Sequence, residues 1–294
     1  MLVGGTICLL LGISWGGNIS PWSDSRVIGC ITGGIVLLAA FLVVQHFTKD
    51  PIIDPSLFKN RTVLAIAAAE FFYGANLLGL MYYVPQFFQL VFGDSATLSG
   101  VGLLPMMLGL GVGNPIAAFV TSKFGLSLIN AIAGAALQVL ISGLMTRWDA
   151  DTSRAEAVIL LIILGIGQGA AMSGLLLTAQ VATQTQLIDI VTGLVIFVQT
   201  VGDIFGIAFF AAVYINKLRS ALAGLSLSSS QIAGVLEDVQ SLKTEYSPEI
   251  RRQIVSAYAD SLKNGWWLMF ACACALLLLS SLAKQHKFQA RGQQ

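Results

Sequence analysis

The sequence predicts an all-α membrane protein built as a bundle of spanning helices, and three observations carry that reading. First, 56% of the 294 residues are apolar and only 11% are charged, less than half the ~25% charge of an ordinary soluble domain. Second, a mean hydropathy of +0.80 leaves more apolar side chain than a water-facing fold can hide, so lipid must take the excess. Third, the apolar residues gather in runs near or beyond the ~20 residues that carry a helix across a bilayer. These runs are rich in Gly, Ala and Leu and lack the roughly ten-residue alternation of a transmembrane barrel strand.

Taken in chain order, residues 2–14 form a short first run without a polar flank. No basic residue precedes Arg26, so the basic segment of a secretory leader is missing and the run reads as a helix cut in half. Full spans follow at 27–47, 62–90, 99–122, 126–146, 157–183, 190–215 and 265–283. Short polar connections join them: 15–26 with Pro21, 48–61 with Pro51 and Pro55, 93–98, 123–125, 147–156 and 184–189. Residues 216–263 are instead a polar loop of 48 positions. Within it Ser247-Pro248-Glu249 supplies a cap, a first-turn proline and an early acid. Ile250, Ile254, Tyr258 and Leu262 then repeat every four residues, predicting a helix that lies on the bundle or on the lipid surface. The organisation is therefore 1–47, a truncated and a complete central helix; 48–61, a linker; 62–283, a six-helix unit carrying loop 216–263; and 284–294, a tail.

Charge distribution bears on orientation. The side of 48–61, 123–125, 184–189 and the tail holds 7 basic and 3 acidic residues in 34 positions, against 9 and 10 in 76 on the other. Basic density places the first side in the cytosol, although the raw count leans the other way because of the long loop. That orientation makes Asn18-Ile19-Ser20 an external glycosylation sequon and leaves Asn60-Arg61-Thr62 cytosolic.

Several function classes are excluded. A net charge of +1 without any Lys/Arg tract lacks the footprint of a nucleic-acid binder. Cys8, Cys30, Cys272 and Cys274 all lie inside apolar runs, where thiols act as small hydrophobes, and His46 and His286 cannot assemble a metal site or a triad. No cofactor, metal or enzyme is expected. Gly165-x-Gly167-x-Gly169 lacks the spacing and the strand context of a dinucleotide site. With Gly109, Gly111, Gly113 and Asn114-Pro115 it predicts close helix approach or a bend.

A set of residues carries a resemblance to a known family. Tyr82-Tyr83-Val84-Pro85-Gln86-Phe87-Phe88-Gln89, then Gly93-Asp94-Ser95-Ala96 and Ser99-Gly100-Val101-Gly102-Leu103-Leu104-Pro105, resemble the major facilitator superfamily. More narrowly they are similar to the fungal fourteen-helix drug:proton antiporters, at the first two helices of their C-terminal half. Trp15-Gly16-Gly17, Pro21-Trp22 and Arg26-Val27-Ile28-Gly29 resemble the link between that subgroup's two extra central helices. Asp54-Pro55-Ser56-Leu57-Phe58-Lys59-Asn60-Arg61 is similar to its entry to the C-terminal half, and Gly165-Ile166-Gly167-Gln168-Gly169 to a later glycine-rich helix.

The resemblance implies a C-terminal six-helix half of a major facilitator carrier plus one and a half central helices. The N-terminal half is expected to be absent, with its charged loop and its proline-glycine antiporter motif. The implied function is proton-coupled efflux of small, largely apolar compounds such as drugs or secondary metabolites, by a multi-pass protein of the plasma membrane with a cytosolic C-terminus and an extracellular loop 216–263. The implied partners are the lipid bilayer, a small-molecule substrate, protons, and a second carrier half or a homodimer. The competing reading is a non-transporting relic or a partner half that packs against another carrier.

Within the spans only Glu70 and Asp203 are acidic. A charge near the bilayer centre costs about 2.5–3.5 kcal/mol on the insertion scale, so each must face the interior, titrate or find a partner. Thr192, Gln199 and Asp203 share one helix face, a stripe that fits a substrate cavity or proton path as well as interhelical hydrogen bonding. Asn76, Tyr83 and Gln86 form a second stripe, surrounded by Phe71, Phe72, Tyr82, Phe87 and Phe88. That set fits either an aromatic substrate wall or lipid and headgroup contact. Pro85 is expected to free backbone groups that Gln86 or Gln89 satisfies. Glu70, nearer the cytosolic end, reads as a coupling acid or as an acid reaching interfacial water.

Overall fold

The computed structural model describes residues 2–16, 20, 22–47, 57, 59–224 and 248–285. Among these residues the chain is helical, and its one non-helical pairing is an isolated bridge between Gly16 and Ser20. In order the helices are α1 (Leu2–Trp15), α2 (Ser25–Phe47), α3 (Arg61–Val91), α4 (Ala96–Val101), α5 (Leu104–Phe124), α6 (Ser127–Met145), α7 (Arg154–Val181), α8 (Ile188–Ala223) and α9 (Pro248–Leu282). Among the described residues six helical stretches are long and apolar enough to cross a membrane: α3, α4 with α5, α6, α7, α8 with the 3-10 turn before it, and α9.

Local chemistry sets the ends. Asn60 caps α3 by accepting from the Thr62 amide at 3.0 Å, and Ser153 caps α7 by accepting from the Glu156 amide at 3.2 Å, each satisfying an otherwise orphaned donor. Gly125, at φ 70°, closes α5 in the left-handed conformation that suits glycine. The predicted span 99–122 is interrupted at Gly102 and Leu103, with a proline in the first turn of α5, where its missing N–H has no helical partner to lose.

The six spanning elements form two groups of three, α3–α5–α6 and α7–α8–α9, and each group's first helix packs into the other. α3 packs on α8 and α9 much as α7 packs on α5 and α6, while α6 meets α9. α1 and α2 pair with each other and touch the bundle through α8. Two buried clusters fill the body. One surrounds Phe87, Trp148, Phe210 and Trp266; the other surrounds Ile66, Tyr73, Leu175 and Val195.

One end of the bundle is tied across helices. Asn60 donates through Nδ2 to the Ala182 carbonyl at 2.6 Å, Gln285 donates through Nε2 to the Gly125 carbonyl at 2.5 Å, and the Leu128 amide donates to Gln285 Oε1 at 3.1 Å. This groups the start of α3, the α5–α6 turn and the ends of α7 and α9 on one side. At the opposite end Arg154 pairs with Asp94 at 2.5 Å and lies 4.6 Å from the centre of the Phe92 ring.

The helix predicted after Ser247 is not separate. Pro248–Leu282 is one helix of 35 residues, because the face carrying Ile254, Tyr258 and Leu262 continues into Trp266, Met269, Ala273 and Leu276, all at most 2% exposed. Ile250 is the exposed member, at 39%. Residues 216–223 likewise continue α8, with Leu218 and Leu222 buried. The Tyr214 and Tyr258 rings pack 6.3 Å apart between the two helices. The loop of 216–263 thus narrows to the stretch between α8 and α9, of which 225–247 lie outside the described residues. Ser247, Asn18 of the sequon, His286 and the rest of the tail also lie outside them. The four cysteines are free thiols.

Candidate functional site

The site begins with a close crossing of α3 and α8. Gly202 and Gly206 of α8 lie against the backbone of Phe71 and Ala75 on α3, and Gly74 of α3 faces the Gln199 carbonyl. A Cβ on Gly74 would stand 3.0 Å from Asp203 Oδ1, so the missing side chain is what lets the carboxyl approach. Glu70 lies one turn before Gly74 on the same helix face. It is 2% exposed, and its Oε2, like Oδ1 of Asp203, accepts no hydrogen bond among the described residues. Asp203 is thus set against α3 at Gly74, one turn from Glu70, and Tyr73 stands between Glu70 and Gly74 on the same helix. Phe71 packs between Phe72 and Phe205, at ring separations of 5.3 and 5.4 Å.

Two acids distant in sequence thus meet where two helix backbones nearly touch. Glu70 does not reach interfacial water; it is enclosed by the bundle, whereas Asp203 is half-buried. A pair of unpartnered carboxyls at this depth is costly as anions. Such a pair can hold or pass a proton.

The other candidates are engaged differently. Asn76 is fully buried and donates through Nδ2 to the Met269 carbonyl at 2.9 Å, joining α3 to α9. The Tyr83 hydroxyl donates to the Ile207 carbonyl at 3.2 Å, and its ring stacks on Phe210 at 3.8 Å, so Tyr83 packs α3 onto α8. Thr192 donates to the Ile188 carbonyl at 2.8 Å and accepts from Gln180 Nε2 at 2.9 Å, facing α7. Gln86 and Gln199 are half-buried. Gln89 donates to Ser99 Oγ at 2.9 Å, so its donor goes to α4 rather than to the backbone freed by Pro85. Phe87 and Phe88 belong to the core, and Tyr82 is exposed. The two polar stripes therefore divide among several helix contacts instead of lining one wall.

Among the described residues, two cavities beside α8 stand out. One, of about 240 Å³, is bounded by Ile13, Tyr82, Tyr83, Ile207 and Ala211; the other, of about 160 Å³, by Thr6, Leu9, Phe197, Val201 and Phe205. Neither is lined by Glu70 or Asp203. Among the described residues no three His, Cys, Asp or Glu side chains gather as metal ligands. Sequence reasoning missed three buried polar residues, Tyr73, Gln138 and Gln168. The available signal was a polar side chain in mid-span; Gln138 and Gln168 fell in no polar stripe at helical spacing and were passed over.

Residues 1–279 match the family model for the fungal trichothecene efflux pump (TRI12). The MFS-type efflux pump elcC of Phaeosphaeria nodorum is 30% identical over 274 residues, 93% of this chain and 49% of the relative. The multidrug transporter protein MdtP of Bacillus subtilis is 28% identical over 277 residues, 89% of this chain and 51% of the relative. A bacterial homolog of the human lysosomal transporter Spinster, solved in an inward-facing and occupied conformation, shares the fold. Its TM-score is 0.58 at 16% identity, over 96% of this chain and 66% of that one. The chain spans about half the length of the curated fungal relatives it matches. These relatives are transporters, not enzymes. With its six membrane-crossing helices and a family match over nearly its whole length, the chain belongs to the fungal trichothecene efflux pump family of the major facilitator superfamily, as a multi-pass integral membrane protein.

Proposed function

We propose that this chain supplies the C-terminal half of a proton-coupled efflux carrier for small, largely apolar compounds at the plasma membrane, with the cross-tied end of the bundle in the cytosol. The observation that carries the reading is the Glu70–Asp203 pair at the α3–α8 crossing. In the proposed cycle Asp203 takes a proton from the external side when the cavity opens outward and releases it to the cytosol after reorientation. Glu70, sealed beside it, shares or relays that proton. The aromatic group of Phe71, Phe72 and Phe205 presents apolar surface next to the acids, which suits an apolar substrate.

Alternating access needs two bundles rocking about a site between them, and this chain provides one. The relatives it matches are about twice as long, so the second bundle is proposed to come from a complementary half or from a second copy. The test is Asp203→Asn in a complete two-half carrier. Loss of the proton-driven component of export with normal membrane insertion supports the reading; unchanged export with unchanged pH dependence refutes it. The half-length match also favours a second reading, a partner half that packs against another carrier without transporting. Complementation with an N-terminal half that restores assembly but never export would select that reading.

A further inference from the structure

Behind the acid pair the body holds a second group of polar side chains that the proposed cycle does not use. Asn76, Gln138 and Gln168 are 0% exposed and Ser142 is 1% exposed. Asn76 Oδ1, Ser142 Oγ and both polar side-chain atoms of Gln138 and of Gln168 have no hydrogen-bond partner among the described residues. They come from α3, α6 and α7 at similar depth. The ties of Asn60 to Ala182 and of Gln285 to Leu128 put residues 61, 127 and 181 at one end of the bundle. From that end Tyr73, Gln138 and Gln168 are 12, 11 and 13 residues along their helices, about 16–20 Å into the membrane at the helical rise. Contacts join α7 to α3 and to α6. The Tyr73 hydroxyl donates to the Gln168 carbonyl at 3.2 Å, and Gly167 lies against the α6 backbone at Gly134 and Gln138. Asn76 reaches Met269.

Buried polar atoms are almost always satisfied, and leaving several bare in hydrocarbon is far costlier than enclosing water that bridges them. The chemistry of the set selects the occupant. It mixes amide donors with oxygen acceptors and a hydroxyl, which suits a molecule that both donates and accepts. A bare cation would satisfy the oxygens and leave the two Gln Nε2 groups bare.

We propose that ordered water occupies the interior of the six-helix body, bridging Gln138 and Ser142 of α6 and Gln168 of α7 to Asn76 of α3. Through Tyr73, which bonds the Gln168 backbone carbonyl and stands three residues after Glu70 on α3, this water comes within one side chain of the acid pair. It supplies Glu70 with polar surroundings that the substrate face does not provide. That last step rests on the proposed carrier function; the hydration does not.

The test is radiolytic footprinting of the purified full chain in ¹⁸O-water. Tyr73 is 0% exposed, and so is Met106 in the apolar cluster around Phe87 and Trp266. Water in the site predicts that Tyr73, normalised to intrinsic reactivity, incorporates ¹⁸O several-fold faster than Met106, and that Gln138→Leu removes the difference. A rate for Tyr73 as slow as that for Met106 overturns the proposal and leaves Gln138 and Gln168 paired directly. Thermal unfolding is the second arm. If water holds the amides, Gln138→Leu and Gln168→Leu lower the melting midpoint; a raised midpoint means that the amides were bare and overturns it. Neither readout requires transport, so a failure of the hydration and a failure of the carrier reading are separable.

Discussion

Replacing Gly169 by alanine puts a methyl group where α7 meets the backbone of α5. Its Cβ would lie 2.5 Å from the Asn114 nitrogen and from the Leu110 carbonyl oxygen, and 3.0 Å from the Gly113 carbonyl carbon. These are helix backbone atoms, which have no rotamer to change. Since heavy-atom contacts settle near 3.5–4.0 Å, the two helices must part by about 1 Å, a gap that forfeits roughly a quarter to a half of each dispersion contact across the crossing. Membrane helices associate chiefly through such packing. Overpacking costs about 1–3 kcal/mol, and the better helix propensity of alanine returns about 0.5–1, leaving a net loss of up to about 2.5 kcal/mol. Gly111 is the internal control: on α5 it has nothing within 4 Å of its would-be Cβ, so Gly111→Ala feels only the propensity gain, up to about 1 kcal/mol. Equilibrium unfolding by SDS in mixed micelles reads both variants. Equal changes, or a larger loss at Gly111, would refute the packing inferred for the α5–α7 crossing.

Other outcomes follow from the same geometry. Glu70→Gln, tested beside Asp203→Asn, is expected to impair proton-driven export less than the Asp203 change, because Asp203 is the more exposed acid; a larger effect at Glu70 would transfer the exchange role to it. Arg154→Met leaves Asp94, whose side chain is 3% exposed, without its ionic partner and should destabilise by about 1–3 kcal/mol. Most of that loss should disappear in a background that also carries Asp94→Asn, and full additivity in this cycle would deny the coupling. A cysteine placed in 225–247 should react with an impermeant thiol reagent on intact cells, whereas one in 286–294 should not; the reverse pattern inverts the orientation. Glycan on Asn60 would contradict the structure as well, since its Nδ2 donates to Ala182.

What the sequence made legible was set by the solvent. Hydrocarbon demands long apolar runs, so the spans were readable to within a few residues: the run 62–90 became Arg61–Val91 and the run 126–146 became Ser127–Met145. The same criterion failed where polar residues continue a spanning helix outside lipid. Residues 248–263 are as helical as 265–282, but their charges read as loop; the repeat through Ile254, Tyr258 and Leu262 was visible, and its alignment with Trp266 and Met269 was the missed sign of continuity. The site was legible residue by residue and not as an arrangement. Glu70 and Asp203 stood out because charge is expensive in a membrane. That Gly74 opens the gap between them depends on the crossing of α3 with α8, which no local pattern encodes. Thr192 matched a cavity stripe by spacing, yet its hydroxyl serves a carbonyl of its own helix, while Tyr83 borders a cavity and still bonds the Ile207 carbonyl. Spacing fixes a helix face but not the neighbour it meets.

Proteoliposomes give the most direct test of the half-carrier reading. The 294-residue chain is reconstituted alone and together with the N-terminal half of the elcC pump, and uptake of a hydrophobic dye is followed under an imposed proton gradient. Gradient-driven uptake by the paired halves, lost with Asp203→Asn and absent for the chain alone, is the predicted result. Robust gradient-driven uptake by the chain alone would contradict the need for a complementary half and require a working homodimer. Uptake by the paired halves that is indifferent to both the gradient and Asp203 would contradict proton coupling at the α3–α8 crossing.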